Sequence, residues 1–536
     1  MARTPSQPLV TEFHGFANGA GAFDHADGYY AIALNADCRW GPAIPGPREV
    51  VDLTGIATGF RVRKFERHND VQCLLTTDGT DTKIYRRQSG AWALKTTFSG
   101  AVGTDLVSFN DGTNSTLIAF LGASTAFQYS TDDGATWTAS TKSGNAKYGN
   151  LGMVQMNGLA APRVVYVRNP NQIYYSTNMA NTGNVTTSSS VGDFSAQTYF
   201  TSLTEDDTGM VLCGMRNSLF AFDGVNSIRI AGPFPDPPAD AGGQSDRNNF
   251  EAVATVNGRI YYNFSGYEIG EWFHGQWNAY MAPKWSGPLI PRMDLPVNAM
   301  AAVHGWLVVA LGSKNTATIK AATYSPGGSA LVQNSFGVTS ELWAGRYQVN
   351  PATGSMGFVW HGILLQCTDP LRYMWYDEDE SYLYLASGDA ESADLQQRRC
   401  LWYSVAPQFH ALSSVVTLQT GAWEVESGRI MNGDAYVVKR FVSLEAAPLG
   451  CDSATPTLEV LYRAVQEYET TAYTSLVTWY DSHNSRRGVR FPYHQSYRSG
   501  RIKFKGTGNA GSNAYAVLLN ARVFSERYEP LAVNLK

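Results

Sequence analysis

Short apolar runs separated by polar turns recur through residues 47–410. Each unit has an apolar strand, a turn, a second strand carrying aromatics, and a polar hairpin. Units are readable at 71–92, 117–137, 164–176, 211–225, 252–277, 301–321 and 357–403. Their spacing of about 40–50 residues is that of β-propeller blades and predicts roughly six to eight of them. Beyond about residue 411 the rhythm changes. Trp423-Glu424-Val425, 436–444, 457–462 and 514–524 read as strands without the blade repeat. In Arg501-Ile502-Lys503-Phe504-Lys505 basic and apolar residues alternate strictly, which predicts one buried and one solvated face. The expectation is a jelly-roll-like β-sandwich over 411–536, of ordinary domain size. Residues 1–46 are rich in Gly and Pro, including Gly15-Phe16-Ala17-Asn18-Gly19-Ala20-Gly21, and read as an extended arm draped over a surface.

Composition agrees with an all-β chain. Of 536 residues only 16% are charged and 12% are aromatic, with 51 Gly and 29 Tyr. Glu and Lys, which long helices favour, are scarce, whereas aromatics, Thr, Ser and Gly suit strands and turns. A net charge of −5 gives no global attraction to nucleic acid or anionic membrane. No apolar run approaches the length of a membrane span, and Met1-Ala2-Arg3-Thr4-Pro5-Ser6 lacks the apolar core of a signal peptide. The six cysteines are scattered singly, against a disulfide framework or a zinc site and in favour of synthesis in a reducing cytoplasm.

One local motif is sharp. Ser130-Thr131-Asp132-Asp133-Gly134-Ala135-Thr136-Trp137 matches the Asp-box pattern at Ser130, Asp132, Gly134, Thr136 and Trp137. Such a hairpin uses the carboxylate to accept turn amides, Gly for a positive φ and Trp to cover the base. It usually sits in propeller blades, so it speaks to fold more than to chemistry.

Two segments carry a resemblance. The run 433–441 (Gly-Asp-Ala-Tyr-Val-Val-Lys-Arg-Phe), followed by Leu458-Glu459-Val460-Leu461-Tyr462-Arg463, Val489-Arg490-Phe491-Pro492 and Arg501-Ile502-Lys503-Phe504, resembles the sandwich that closes many propeller-containing phage tail proteins. The lead-in, with Gly19, Asp27-Gly28-Tyr29 and Asn35 ahead of a Pro-Gly, is similar to the opening of tail-nozzle proteins of short-tailed phages. The resemblance implies a virion structural protein of the tail, made in the host cytoplasm. It also implies a homo-oligomeric ring of six-fold symmetry, contacts to adaptor and other tail proteins, and transient passage of DNA.

Candidate chemistry is thin. A sialidase-like or other glycan-cleaving propeller, or a glycan-binding receptor protein, is the rival reading. That chemistry needs two carboxylates across a sugar, or a Tyr nucleophile with an acidic partner and an arginine cluster. The Phe-Arg-Ile-Pro-like signature is absent, Phe60-Arg61-Val62-Arg63 being the nearest string, and Asp132 and Asp133 lie in a rim hairpin. Asp377-Glu378-Asp379-Glu380 lacks the spacing of a calcium loop and reads as a solvated hairpin tip. The nine histidines show no metal-ligand spacing, and His274, among Trp272, Phe273 and Trp277, reads as part of a packed hairpin before a sugar platform. The sequence therefore predicts no catalytic residue, no cofactor and no metal. Its one predicted contact surface is basic: Arg486, Arg487, Arg490, Arg498, Arg501 and Lys503 on the sandwich, read as a partner-protein face before a DNA site, with outward-facing charges that only confer solubility and block edge pairing as an equal alternative.

Overall fold

The computed structural model describes residues 15–16, 29–39, 43–46, 49–51, 55–122, 126–143, 153–156, 162–169, 172–176, 186–187, 200–206, 208–223, 227–234, 249–264, 268–273, 276–278, 297–312, 340–349, 356–367, 371, 373–386, 397–401, 422–427, 439–451, 456–465, 472–480, 487–492, 496–497, 499–509 and 514–527. Every regular element among them is a strand.

Seven four-stranded antiparallel sheets follow one another along the chain and form the blades of a β-propeller. Their innermost strands are Arg61–His68, Gly103–Asn110, Met153–Met156, Phe200–Glu205, Val253–Val256, Val297–Val303 and Tyr373–Asp377, in blades 1 to 7. Each lies against the innermost strand of the next blade, and Tyr373–Asp377 returns to Arg61–His68, so the ring is closed. The expected range of blade number thus resolves to seven.

The second strand of a blade is buried on both faces, because each sheet is sandwiched between two others. Trp306–Gly312 is buried throughout and Val71–Thr77 almost throughout, so these strands read as continuous apolar runs rather than alternating ones. Every seam between neighbouring blades holds its own apolar cluster. At the closing seam, Phe65 of blade 1 stacks on Tyr384 of blade 7 with ring centroids 4.1 Å apart. Such an aromatic pair contributes about 0.5–1.5 kcal/mol beyond its buried area.

Closure comes from the N-terminal segment. Three blade-7 strands are consecutive (Tyr373–Asp377, Tyr382–Ala386, Gln397–Leu401), and the fourth is Glu49–Val51, paired antiparallel as Arg398↔Val51, Arg399↔Val50 and Cys400↔Glu49. The propeller is therefore latched by strands from both ends of its own sequence range, which leaves no open gap in the ring of sheets.

The C-terminal region is a two-sheet sandwich, as its alternation predicts. One sheet runs Gly15–Phe16, Tyr29–Leu34, Trp423–Ser427, Ser499–Gly506, Leu458–Val465, Thr474–Trp479. The other is built on Lys439–Leu449, flanked by Val517–Arg527 on one side and by Arg487–Arg490 and Ser496–Tyr497 on the other. Between them lie Trp423, Val425, Val460, Ile502 and Phe504 against Phe441, Leu444, Leu518 and Val523. Gly506 sits under the Trp423 ring so closely that any Cβ there would overlap the indole, and Trp423 Nε1 donates to the Ala516 carbonyl at 3.0 Å.

Two expectations need correction. Residues 29–46 are no draped arm: Tyr29–Leu34 is an interior strand of the sandwich sheet, and Ala33, Ala36, Cys38, Ala43 and Ile44 are at most 1% exposed. Nor does the sandwich have a core of its own, because its apolar residues are continuous with Trp343 and Trp360 of blade 6. The physical reason is a missing partner. One edge of Trp423–Ser427 pairs with Ser499–Gly506, and its other edge is paired by the lead-in strand Tyr29–Leu34. Arg39 anchors that segment through a buried bidentate pair with Asp37, with Nε–Oδ1 3.0 Å and Nη2–Oδ2 2.7 Å.

Candidate functional site: the blade seam and the axial channel

Ser130 ends the third strand of blade 2, Ala126–Ser130, and the Asp-box turns the chain into Thr138–Ser143. The motif satisfies itself. Ser130 Oγ donates to Asp132 Oδ1 (2.7 Å) and accepts the Gly134 amide (2.8 Å). Asp132 accepts the Thr136 amide (2.8 Å) and hydroxyl (2.7 Å), and Trp137 Nε1 donates to the Gly134 carbonyl (3.1 Å). Gly134 has φ 79°, a conformation that costs a residue without a Cβ little. Hydrogen bonds from the Thr136 hydroxyl and then its amide pull the Asp132 carboxyl down to about 2. Three hydrogen bonds from within the turn hold it, so Asp132 is a strut.

The neighbouring Asp133, a variable position of the motif, points across to blade 1. It accepts the Asn69 side-chain amide at 2.9 Å and lies 3.7 Å from the ring of buried His68. Trp137 meets Phe98 of blade 1 edge-on at 6.1 Å. The Asp-box is therefore a clamp on the seam between blades 1 and 2. Ser176 occupies the same place at the end of the third strand of blade 3, Gln172–Ser176; His274 lies outside the described residues.

At the propeller axis a cavity of about 590 Å³ opens at the ends of the inner strands of blades 1, 4, 5, 6 and 7. Glu66, Arg67, Glu205, Thr255, Tyr376 and Asp377 are on its wall, with Glu378 and Asp379 at the rim. Asp377 is the best-held group: 4% exposed, it takes Nε of Arg67 at 3.0 Å, Nη2 at 2.5 Å and Nε2 of Gln72 at 2.7 Å. The acidic run is a hairpin tip, as expected from sequence, but Asp377 itself is buried inside the blade-7 to blade-1 seam. Among the described residues no group of three or more His, Cys, Asp or Glu is arranged to hold a metal ion.

Glu66 is the unusual titrating group. Burial pushes its carboxyl up to about 7, against the pull of Lys64 and of the Ser108 amide, which donates to Oε1 at 3.1 Å; Asp105 adds to the upward shift. A carboxyl whose folded-state value is raised binds its proton more tightly in the native state. Its stability contribution is thus fully present below the ordinary carboxylate value and is lost as pH rises through 7. Glu66→Gln keeps an acceptor for Ser108 and removes the charge. The variant is expected to melt together with the parent at pH 4.5 and above it at pH 8, by about 1–2 kcal/mol of stability after allowance for channel water. Equal melting differences at both pH values would refute this assignment.

Two of the six residues of the predicted basic surface are paired with carboxylates. Arg501, 5% exposed, gives Nη1 to Glu426 at 2.8 Å, and Lys503 gives Nζ to Glu424 at 3.1 Å. Arg463 and Lys503 also reach Glu426 at 3.8 and 3.7 Å, and Lys505 reaches Glu424 at 3.1 Å. The polar face of Ser499–Gly506 is thus covered by a cross-strand charge ladder, because the adjacent strand Trp423–Ser427 places Glu424 and Glu426 opposite the bases. Arg501 and Lys503 are corrected from contact residues to ladder members. Arg490 is exposed; Arg486 and Arg498 lie outside the described residues, as does the side chain of Arg487.

Sequence reading missed the channel. The signal present was charge inside an inner strand: Arg61–His68 carries Arg63, Lys64, Glu66 and Arg67 where a two-sided buried strand would be apolar.

No protein-family model matches the chain, and no curated protein matches it either. Among solved structures it is similar to YCF48 from Cyanidioschyzon merolae, at 10% identity over 66% of this chain and 98% of that one, with a TM-score of 0.40. It is also similar to the Dos1 propeller (9% identity, 63% and 67%, TM-score 0.26) and to an ancestral GH74 enzyme (13%, 65% and 47%, TM-score 0.38). The chain spans less than half of that enzyme's length. The propeller assignment rests on this chain's own strand order and ring closure.

Proposed function

We propose that this chain is a non-enzymatic structural protein of a bacteriophage tail, a nozzle or minor tail component, that assembles with copies of itself and with neighbouring tail proteins around the route of DNA exit. The observation that carries the reading is the stapling of its two halves. One N-terminal segment pairs with the closing blade at Glu49–Val51 and with the sandwich at Tyr29–Leu34, so disc and sandwich form one body with a shared core. A part built into a permanent particle needs such rigidity, since large interfaces form at low cost only between surfaces that do not rearrange. The Asp-box fits the same role, because its carboxylates serve the turn and the seam.

The rival is a virion protein that binds or cleaves host surface glycan. It is favoured by one feature, the open axial cavity with carboxylates near Trp375 and Tyr376. Mass spectrometry of purified particles is expected to detect the full chain, and image reconstruction to place it in the tail. Its absence from intact particles would refute the tail reading. Release of oligosaccharide from host polysaccharide, lost in a Glu66→Gln or Asp377→Asn variant, would favour the rival.

A further inference from the structure

The charge ladder of the sandwich is uneven along its length. Glu424 lies 3.1 Å from both Lys503 and Lys505, and Glu426 is shared by Arg501, Lys503 and Arg463. Among the described residues, four bases thus divide two carboxylates. A further acid on the neighbouring strand, Glu459, is opposite Lys505 in the register and away from the arginines.

At the arginine end, Arg463 and Arg501 are direct partners across the antiparallel pair of Leu458–Val465 with Ser499–Gly506. Residues so placed share a face with their Cβ atoms about 5 Å apart, and like charges there repel. Both arginines are at least nine-tenths buried. They converge on a single atom, Glu426 Oε1. Arg501 Nη1 reaches it at 2.8 Å, but Arg463 Nη2 comes only to 3.8 Å, beyond hydrogen-bonding distance. Arg463 Nε is shut off from solvent and has no hydrogen-bond partner. The Tyr473 ring, 4.8 Å from the Arg463 guanidinium carbon, supplies cation–π attraction but no carboxylate. A buried charge is stable when it is both paired and hydrogen-bonded, and Arg463 meets neither condition in full. Lys503, 4.7 Å from the same ring, places a third cation beside the pair. Its side chain is 19% exposed, so the cluster is within reach of ions from solvent.

We propose that Arg463, with Arg501 and Lys503 beside it, forms a binding site for a small oxyanion, a phosphate or a carboxylate. A guanidinium presents its N–H groups as a planar fork that matches two oxygens of such a group. The anion brings to Arg463 the negative charge that Glu426, held by Arg501, supplies only at a distance. It also screens the two arginines from each other. The site follows from the register of the sandwich strands and does not depend on the tail reading.

The test is thermal melting of the full-length protein in Tris chloride, titrated with sodium phosphate or sodium acetate and compared with sodium chloride at equal ionic strength. A saturable rise in melting temperature of about 1–2 °C is expected with phosphate and not with chloride. Arg463→Met keeps an apolar stem over Tyr473 and removes the charge. That variant is expected to melt at or above the parent without oxyanion, because the repulsion is gone, and to show no saturable rise. Acetate that reproduces the rise in the parent assigns the site to carboxylates, such as an acidic side chain of a partner; a response to phosphate alone assigns it to phosphate. A parent response no larger than that to chloride, or an equal rise in Arg463→Met, would overturn the proposal. So would an Arg463→Met protein that melts well below the parent or fails to fold, since Glu426 would then already balance Arg463. Absence of the chain from phage particles would sink the tail reading and leave every one of these outcomes unchanged.

Discussion

Deletion of residues 1–51 is expected to prevent the chain from reaching its native state. The deletion removes the outer strand of blade 7, an interior strand of the sandwich sheet and the buried Asp37–Arg39 pair together. It would strip Ala33, Ala36, Cys38 and Ala43 from the shared core and leave Trp423–Ser427 and Gln397–Leu401 with unpaired edges. Exposed edges of apolar strands are templates for aggregation. The loss exceeds any single substitution here, since native domains are stable by only about 5–15 kcal/mol. The measurement is soluble yield, followed by near-ultraviolet circular dichroism and thermal melting of whatever remains soluble. A soluble monomer with a cooperative melt near that of the full chain would show that the N-terminal segment is an accessory after all. A narrower change, Asp37→Ala, tests the anchor alone and is expected to lower stability without abolishing folding.

The second large effect is Glu426→Ala. Glu426 is 2% exposed and is the common partner of Arg501 at 2.8 Å, Lys503 at 3.7 Å and Arg463 at 3.8 Å. Removing it leaves buried cations without a counter-charge, which costs about 3–5 kcal/mol. Lys503 would keep Glu424 at 3.1 Å, whereas Arg463 would be left with the face of Tyr473, over whose ring it sits at 4.8 Å. A cation–π contact of that kind contributes about 0.5–2 kcal/mol, too little to replace the carboxylate. Urea unfolding followed by the fluorescence of Trp423 and Trp479 should show the midpoint fall sharply. Replacing Glu426 and Arg501 together by apolar residues of similar volume is expected to recover much of the loss, because the uncompensated charge goes with them. A single-variant loss below about 1 kcal/mol would mean that the ladder is solvent-screened and contributes little.

The channel, the seam and the ladder share one lesson about charged residues in sheets. The alternation at Arg501-Ile502-Lys503-Phe504-Lys505 was read correctly as a two-faced strand, but which face meets water depended on the strand beside it. Glu424 and Glu426 lie some 75 residues earlier in the chain, so no local window connects them to Arg501. The Asp-box shows the complement. Its internal bonds, from Ser130 through Trp137, are all short-range and were legible residue by residue. The reach of Asp133 to Asn69 and His68 spans 64 positions and was not.

The strand periodicity, the blade spacing and the change of rhythm near residue 411 settled the class of the protein before any coordinates: all-β, a propeller, then a sandwich. These features are set by neighbours two to ten residues apart, where pleat, turn chemistry and two-sided burial act locally. The fate of the N-terminal segment, the axial assembly of Glu66, Arg67 and Asp377, and the pairing of the basic strand with Glu424 and Glu426 were decided by ring closure and sheet order. Those contacts join residues separated by up to about 400 positions, and their energies depend on who is adjacent in space, which a linear pattern does not encode.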